Sequence, residues 1–338
     1  MEAGTAPVVA PPTSPLQRGR SWASENPAKA FLIVMGLVAV YLLIDSGLQE
    51  LSQRTINGLV AGSYFALGAI GLTLVYGILN LTNFAQGDLL TLGAYVGYVF
   101  NVSIGMPFVA AMAISILLVA IFAIGTELVM FRPMRKKRAG VLQLILMTIG
   151  LAFVIRYMIQ IFAGTQQRKL DINVTDTIDF IGLSIGRTQL IVVIVGFVVL
   201  TAIAMLLRYT SLGRQMRALA DNFDLAETTG IDTGRIVILT WALSGALAGL
   251  AGVLVAASIG SFTPNTGFTL LLSLFAAVTL GGIGNAFGAL AGGLVIGITQ
   301  EWSTLVVAAE WKVAISFLVL IIVLIVRPQG IFGSERTL

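Results

Sequence analysis

LRYTSLGRQMRALADNFDLAETTGIDTGR, residues 207–235, is the one long charged segment in the apolar second half of the chain. Strongly hydrophobic runs flank it on both sides. Within it Met216, Leu219, Phe223 and Ala226 recur at steps of three and four, so the spacing predicts one helical face. Arg214, Gln215, Arg217, Asp221, Asp224 and Glu227 fill much of the remainder. Gly230 stands where a helix end needs a left-handed residue, and Ile231 follows as the apolar residue such an end packs. Asp232 can cap the next helix. Two readings fit this stretch: a connecting loop that carries a surface helix, or a docking helix for a soluble partner. What flanks it decides the fold.

Of the 338 residues, 57% are hydrophobic and 11% are charged. Mean hydropathy is +0.96. A soluble globular chain carries about 25% charge. Charge this sparse cannot cover a water-exposed surface, so the chain reads as an integral membrane protein. It contains no Cys and no His, which removes Ser-His-Asp, Cys-His and zinc-ligand chemistry, and no metal site is expected. No G-x-x-x-x-G-K-[ST] loop occurs, so ATP hydrolysis by that route is not expected of this chain. In such a protein the excess of Lys and Arg reports topology and not nucleic-acid binding.

Residues 1–28 are rich in Pro, Ala, Ser and Thr and read as a disordered cytoplasmic tail. The first apolar run, 30–44, has no convincing cleavage site behind it and reads as an uncleaved span. Further runs cover 56–79, 84–100, 107–131, 141–162, 189–207, 236–259, 268–282, 286–299 and 311–326. At about 20 residues per span most qualify alone. Those around Gly284 and Asn285 are short, and fit either two spans with a tight turn or re-entrant segments. The fold expected is therefore an all-α polytopic transmembrane helical bundle of about eight to ten membrane segments. If the N-terminus is cytoplasmic and every run crosses, the inner segments hold 14 Lys and Arg and the outer segments five. That asymmetry predicts N-in, C-in. Residues 29–333 form the membrane domain, 208–235 its charged cytoplasmic loop, and 334–338 a cytoplasmic tail. The longest outer loop is 163–188.

Asn80, Thr82, Asn83, Gln86 and Asp88 form a polar cluster between two apolar runs. It fits an inner turn with helix caps, or a broken helix whose amides line a polar path. The stretches YGILN (76–80) and GGIGN (281–285) suggest a weak internal repeat. Gly288, Gly292, Gly293 and Gly297 have the spacing of close helix packing. Glu127 and Arg156 are ionisable residues within spans. Their depths place them in opposite leaflets. Glu127 is expected to pair with Arg132 or Arg135, and Arg156 to snorkel outward. Glu301 and Glu310 suit anchoring near outer span ends, beside the belt residues Trp302 and Trp311.

Several stretches together resemble the permease subunits of ABC importers for branched-chain amino acids, on the LivH-like rather than the LivM-like side. They are GLVAGSYFALGAIGLTLVYG (58–77), NFAQGD (83–88), LRYTSLGRQMRA (207–218), the A-x-x-x-G-I element ending at Ile231, LGGIGN (280–285) and RPQGIFG (327–333). The resemblance implies a permease without its own ATPase activity in a bacterial inner membrane. It implies as partners a second, LivM-like permease subunit, two cytoplasmic ATPase subunits that carry ATP and Mg, and a soluble extracytoplasmic binding protein. It implies no cofactor on this chain. It also makes the cytoplasmic loop the coupling element, carried by Ala218, Leu219, Asp221, Phe223, Ala226, Glu227, Gly230 and Ile231. Leu219, Phe223 and Ala226 are expected to face an apolar groove of the ATPase, with Asp221 and Glu227 toward basic rims. The substrate path is assigned to Asn80, Asn83, Gln86 and Asn285, since a zwitterion needs a few placed amides in an apolar path. Family members commonly read Phe-Ala-His-Gly-Glu where this chain has Phe84-Ala-Gln-Gly-Asp88, which leaves permeases for urea or short amides as an alternative. An ion-coupled secondary transporter is the rival class, and it calls for acid–base pairs deep in the spans.

Overall fold

The computed structural model describes residues 27–172, 176–180, 183–327 and 329–331. Of the tail expected at 1–28, residues 1–26 lie outside these residues and the last two begin a helix instead; the tail expected at 334–338 also lies outside. Helix α1, Pro27–Ser46, is a 20-residue apolar helix that stops at Gly47 in the left-handed region. The remaining helices are α2 (Leu48–Leu79), α3 (Gln86–Tyr98), α4 (Phe108–Thr126), α5 (Arg132–Lys136), α6 (Val141–Ala163) and α7 (Arg187–Tyr209). After them come α8 (Ser211–Asp221), α9 (Phe223–Thr228), α10 (Thr233–Ile259), α11 (Thr266–Gly281), α12 (Ala286–Ser303) and α13 (Lys312–Val326). Each of the ten apolar runs falls on a helix. Among the described residues, six helical segments are long and apolar enough to cross a bilayer, and α11 is a shorter apolar helix. A bilayer core leaves backbone polar groups no water to bind, and helices satisfy them internally.

Helix α2 is the axis of the bundle. Its 32 residues span about 48 Å, well beyond the roughly 30 Å hydrocarbon core, and Gln49, Glu50, Gln53 and Arg54 occupy the excess at its start. From Gly58 to Ile78 it is almost wholly buried. Helices α12 and α10 pack along it, and α4 packs against α10. The glycine stripe on α12 serves two neighbours at once. A Cβ on Gly293 or Gly297 would strike the backbone of α2 at Ala66 or Gly62, and one on Gly288 or Gly292 would strike α11 at Gly281 or Ala277. The outer helices turn apolar side chains outward, as with Val109, Leu117 and Ile121 on α4 and Ile194 and Val198 on α7. That is the surface a lipid-facing helix needs.

The outer loop holds one feature that its polar composition hid. Strands β1 (Thr177–Phe180) and β2 (Leu183–Gly186) form an antiparallel hairpin with Thr177 opposite Gly186. Ser184 exchanges hydrogen bonds with the Gln53 side chain at 2.8 and 3.0 Å, tying the hairpin to the start of α2.

Candidate transport and coupling sites

The charged loop folds as two helices and not one. Asn222 adopts an extended backbone (φ −156°, ψ 106°), and its Oδ1 accepts the Leu225 N–H at 3.0 Å to cap α9. Thr210 caps α8 through the Gly213 N–H. Gly230 takes φ +87°, and the Ile231 N–H reaches back to the Ala226 carbonyl at 3.2 Å. Asp232 Oδ1 caps α10 on the Arg235 N–H at 2.9 Å. Local rules thus held at each end of the segment, and the Asn222 break escaped them because the apolar spacing continues across it.

The expected orientation of this loop needs correction. Met216, Leu219 and Ala226 are buried within the chain itself, and α8 packs against α7, α2 and α10. Leu219 and Ala226 therefore do not face an outside groove. Helix α8 lies across the ends of three membrane helices, and its apolar face closes them from water. Phe223, Ala218 and Ile231 are half-buried against the same core. Asp221, Asp224, Leu225, Glu227 and Gly230 are among the residues left facing outward, with Arg214, Arg217, Asn222, Thr228 and Thr229. Leu225, which periodicity had passed over, is 60% exposed.

The polar cluster does not form a surface turn. Asn80 ends α2 in the left-handed region at φ +48° and is exposed. The chain then climbs back, and Gln86 at the start of α3 lies against Gly71. Gly71 is eight residues before Leu79, so α3 begins about 12 Å inside the bundle. Asn83, Gln86 and Asp88 are fully buried. Asn83 Oδ1 accepts the Ala85 N–H at 3.1 Å, and its amide lies 3.4 Å from Gln86 Oε1. The Ser244 hydroxyl on α10 stands 3.1 Å from the same oxygen and 2.8 Å from the Gly71 carbonyl. Gln86 Nε2 is buried with no hydrogen-bond partner. Asn285 lies apart from this group and caps α12, accepting from Phe287 and Gly288 at 3.1 Å each. The two halves of the weak repeat do meet: a Cβ on Gly77 would lie 3.5 Å from the Gly284 carbonyl oxygen, and the Gly284 N–H donates to Thr73 Oγ1, just before the first half, at 2.9 Å.

Asp88 carries the largest departure from the sequence reading. Arg156 does not snorkel outward. Its Nε and Nη2 donate to the two carboxylate oxygens of Asp88, both at 2.9 Å. The guanidinium is 4.2 Å from the Phe268 ring centre and 5.6 Å from that of Phe153. A fork matched to a carboxylate offers more than a long reach to the interface, and the aromatic faces cover what remains. The pair was missed because 68 residues separate its members. Glu127, by contrast, pairs with Arg135 as expected. At the far end Glu301 pairs with Lys312, and Trp302 Nε1 donates to Thr55 at 2.9 Å.

Among the described residues, the arrangement combines a buried polar cluster with a charged ledge. The comparisons agree with a transport role. Residues 54–324 match the family described as branched-chain amino acid transport system, permease component. The high-affinity branched-chain amino acid transport system permease protein LivH of Escherichia coli K12 is 33% identical over 297 residues, covering 84% of this chain and 96% of its own length. BraD of Pseudomonas aeruginosa, with the same description, is 31% identical over the same shares. A probable LivH of Methanocaldococcus jannaschii is 30% identical, over 85% of this chain and 95% of its own. No solved structure matches the chain.

Proposed function

This chain belongs to the family of branched-chain amino acid transport system permease components, and from that premise we propose how its parts divide the work. It is a multi-pass inner-membrane permease subunit of an ABC importer for branched-chain amino acids. In our reading it pairs with a LivM-like permease subunit and receives substrate from a soluble extracytoplasmic binding protein. A pair of cytoplasmic ATPase subunits, loaded with ATP and Mg, drives it. Arg132, Arg135, Arg214, Arg217 and Arg235 mark the cytoplasmic side.

The observation that carries the coupling reading is Leu225. A single exposed leucine is ordinary on a protein surface. Leu225, however, projects from α9 among Asp221, Asp224 and Glu227, at an end of the bundle otherwise rich in arginine and lysine. An apolar notch with a basic rim, on the ATPase, is the complement of that ledge. Ala218, Leu219, Phe223, Ala226 and Ile231 then act from beneath, by fixing α8 and α9 to the membrane helices so that a push on the ledge moves the bundle. Gly230 permits the turn into α10.

For the path, the support is the unpaired Gln86 amide. Leaving a buried amide unsatisfied costs about 1–3 kcal/mol, so a second arrangement that satisfies it is favoured. Asn83 and Gln86 are the residues that substrate meets when α3 and α10 part. Asn80 and Asn285 stand nearer the cytoplasmic exit. Substrate competition tests the assignment. In proteoliposomes holding the intact transporter, isoleucine and valine should suppress labelled leucine uptake while urea and acetamide do not. Uptake of urea with none of leucine would overturn it.

A further inference from the structure

Asp88 and Arg156 lie deep in the bundle. Arg156 is 15 residues into α6, about 22 Å from Val141, and Asp88 is in the first turn of α3. Their side chains are 9% and 0% exposed. Desolvating two charges costs several kcal/mol per ion, and the mutual attraction barely repays it. A well-packed apolar pair would hold α3 to α6 as well. Such a pair in a membrane segment therefore asks what else it does.

The cover over the pair is thin and apolar. Phe268 and Phe153 lie on the guanidinium and are themselves about half exposed, at 52% and 47%. Tyr157 stacks on Phe153 at 6.2 Å and is exposed too. Beside them α11 meets α3 backbone to backbone, since a Cβ on Gly87 or Gly267 would enter the other's main chain. The Gly267 N–H also donates to Thr91 at 2.9 Å. Phe268 is the next residue along α11.

We propose that Asp88 and Arg156 form a substrate-exchangeable ion pair, and that it holds the zwitterionic head of the amino acid during passage. The substrate α-carboxylate replaces the Asp88 carboxylate in the Arg156 fork, and the substrate α-ammonium replaces Arg156 beside Asp88. One ion pair is broken and two are made, and no charge stands unpaired in the low-dielectric interior. The fork geometry is the same for either carboxylate. A branched apolar side chain then packs on Phe268 and Phe153. This inference rests on the amino-acid import reading and adds to Asn83 and Gln86 a charged pair that reads both ends of the zwitterion.

A fixed brace between α3 and α6 is the competing account, and the double variant Asp88→Asn with Arg156→Gln separates them. It removes both charges together and leaves amides of similar size. The intact transporter carrying it, in proteoliposomes with binding protein outside and ATP inside, should assemble. Leucine uptake should fall about tenfold or more, and the preference for leucine over leucinamide, which lacks the carboxylate, should shrink to about twofold. Uptake and preference both within about twofold of wild type would make the pair a brace and overturn the proposal. Should the double variant fail to assemble, Arg156→Lys keeps the charge and loses the fork: a raised KM for leucine supports exchange, and an unmoved KM refutes it. Wild-type transporter that takes up no leucine at all would sink the import reading and this proposal together. Wild-type uptake with an unmoved variant sinks this one alone.

Discussion

Replacing Leu225 with serine removes the one apolar contact that the charged ledge offers while sparing the fold. Leu225 is 60% exposed, so little of its side chain supports the chain itself. Its backbone N–H donates to the Asn222 side-chain oxygen, a bond that does not involve the leucine side chain and survives the change. An exposed substitution of this kind shifts stability by about 0.5 kcal/mol or less. Docking is different. Full burial of a leucine is worth about 1.5–3 kcal/mol, and the exposed share of Leu225 scales this to about 1–2 kcal/mol. That corresponds to about a 5- to 30-fold weaker Kd for the ATPase subunit. Titrating labelled ATPase onto the permease in nanodiscs measures it, with limited proteolysis of residues 223–228 as the check that α9 stays folded. An unchanged Kd with α9 intact would mean that no partner covers Leu225, and the coupling assignment would fail.

The packed side of the same loop gives the opposite outcome. Leu219→Ala, at a position 1% exposed, should lower stability by about 2–5 kcal/mol in a thermal melt of the solubilised protein, while the folded fraction binds ATPase with unchanged Kd. In the bundle, Gly293→Leu forces a side chain into Ala66 of α2 and should cost about 1–3 kcal/mol, visible as aggregation on size-exclusion chromatography. Gly125→Leu, with nothing within 4 Å of its added Cβ, should elute as wild type.

Much of this fold could be read from local pattern, because a membrane makes local pattern decisive. Each apolar run became a helix, and Gly230, Ile231 and Asp232 ended one helix and began the next as short-range rules require. Glu127 found Arg135 eight residues away, within reach along one helical stretch. What stayed hidden depends on tertiary partners. The face of Met216 and Leu219 announced burial, but spacing cannot say whether the cover is a partner or the chain's own helices. The glycines of α12 announced close packing, but not that Gly288 and Gly292 serve α11 while Gly293 and Gly297 serve α2. Asp88 and Arg156 each had a plausible local role, a cap and a snorkelling end, and only the approach of α3 to α6 joins them. Asn285 is the converse: its chemistry suited a path, and the start of α12 uses its oxygen as a cap.

Energisation tests the central claim most directly. Proteoliposomes carrying the intact transporter, with ATP enclosed and binding protein outside, should accumulate labelled leucine at a rate that a protonophore leaves unchanged, and should stop when a non-hydrolysable ATP analogue replaces ATP. Accumulation that proceeds without ATP and collapses with the protonophore would contradict the account, and would return the buried Asp88–Arg156 pair to the reading of an ion-coupled carrier.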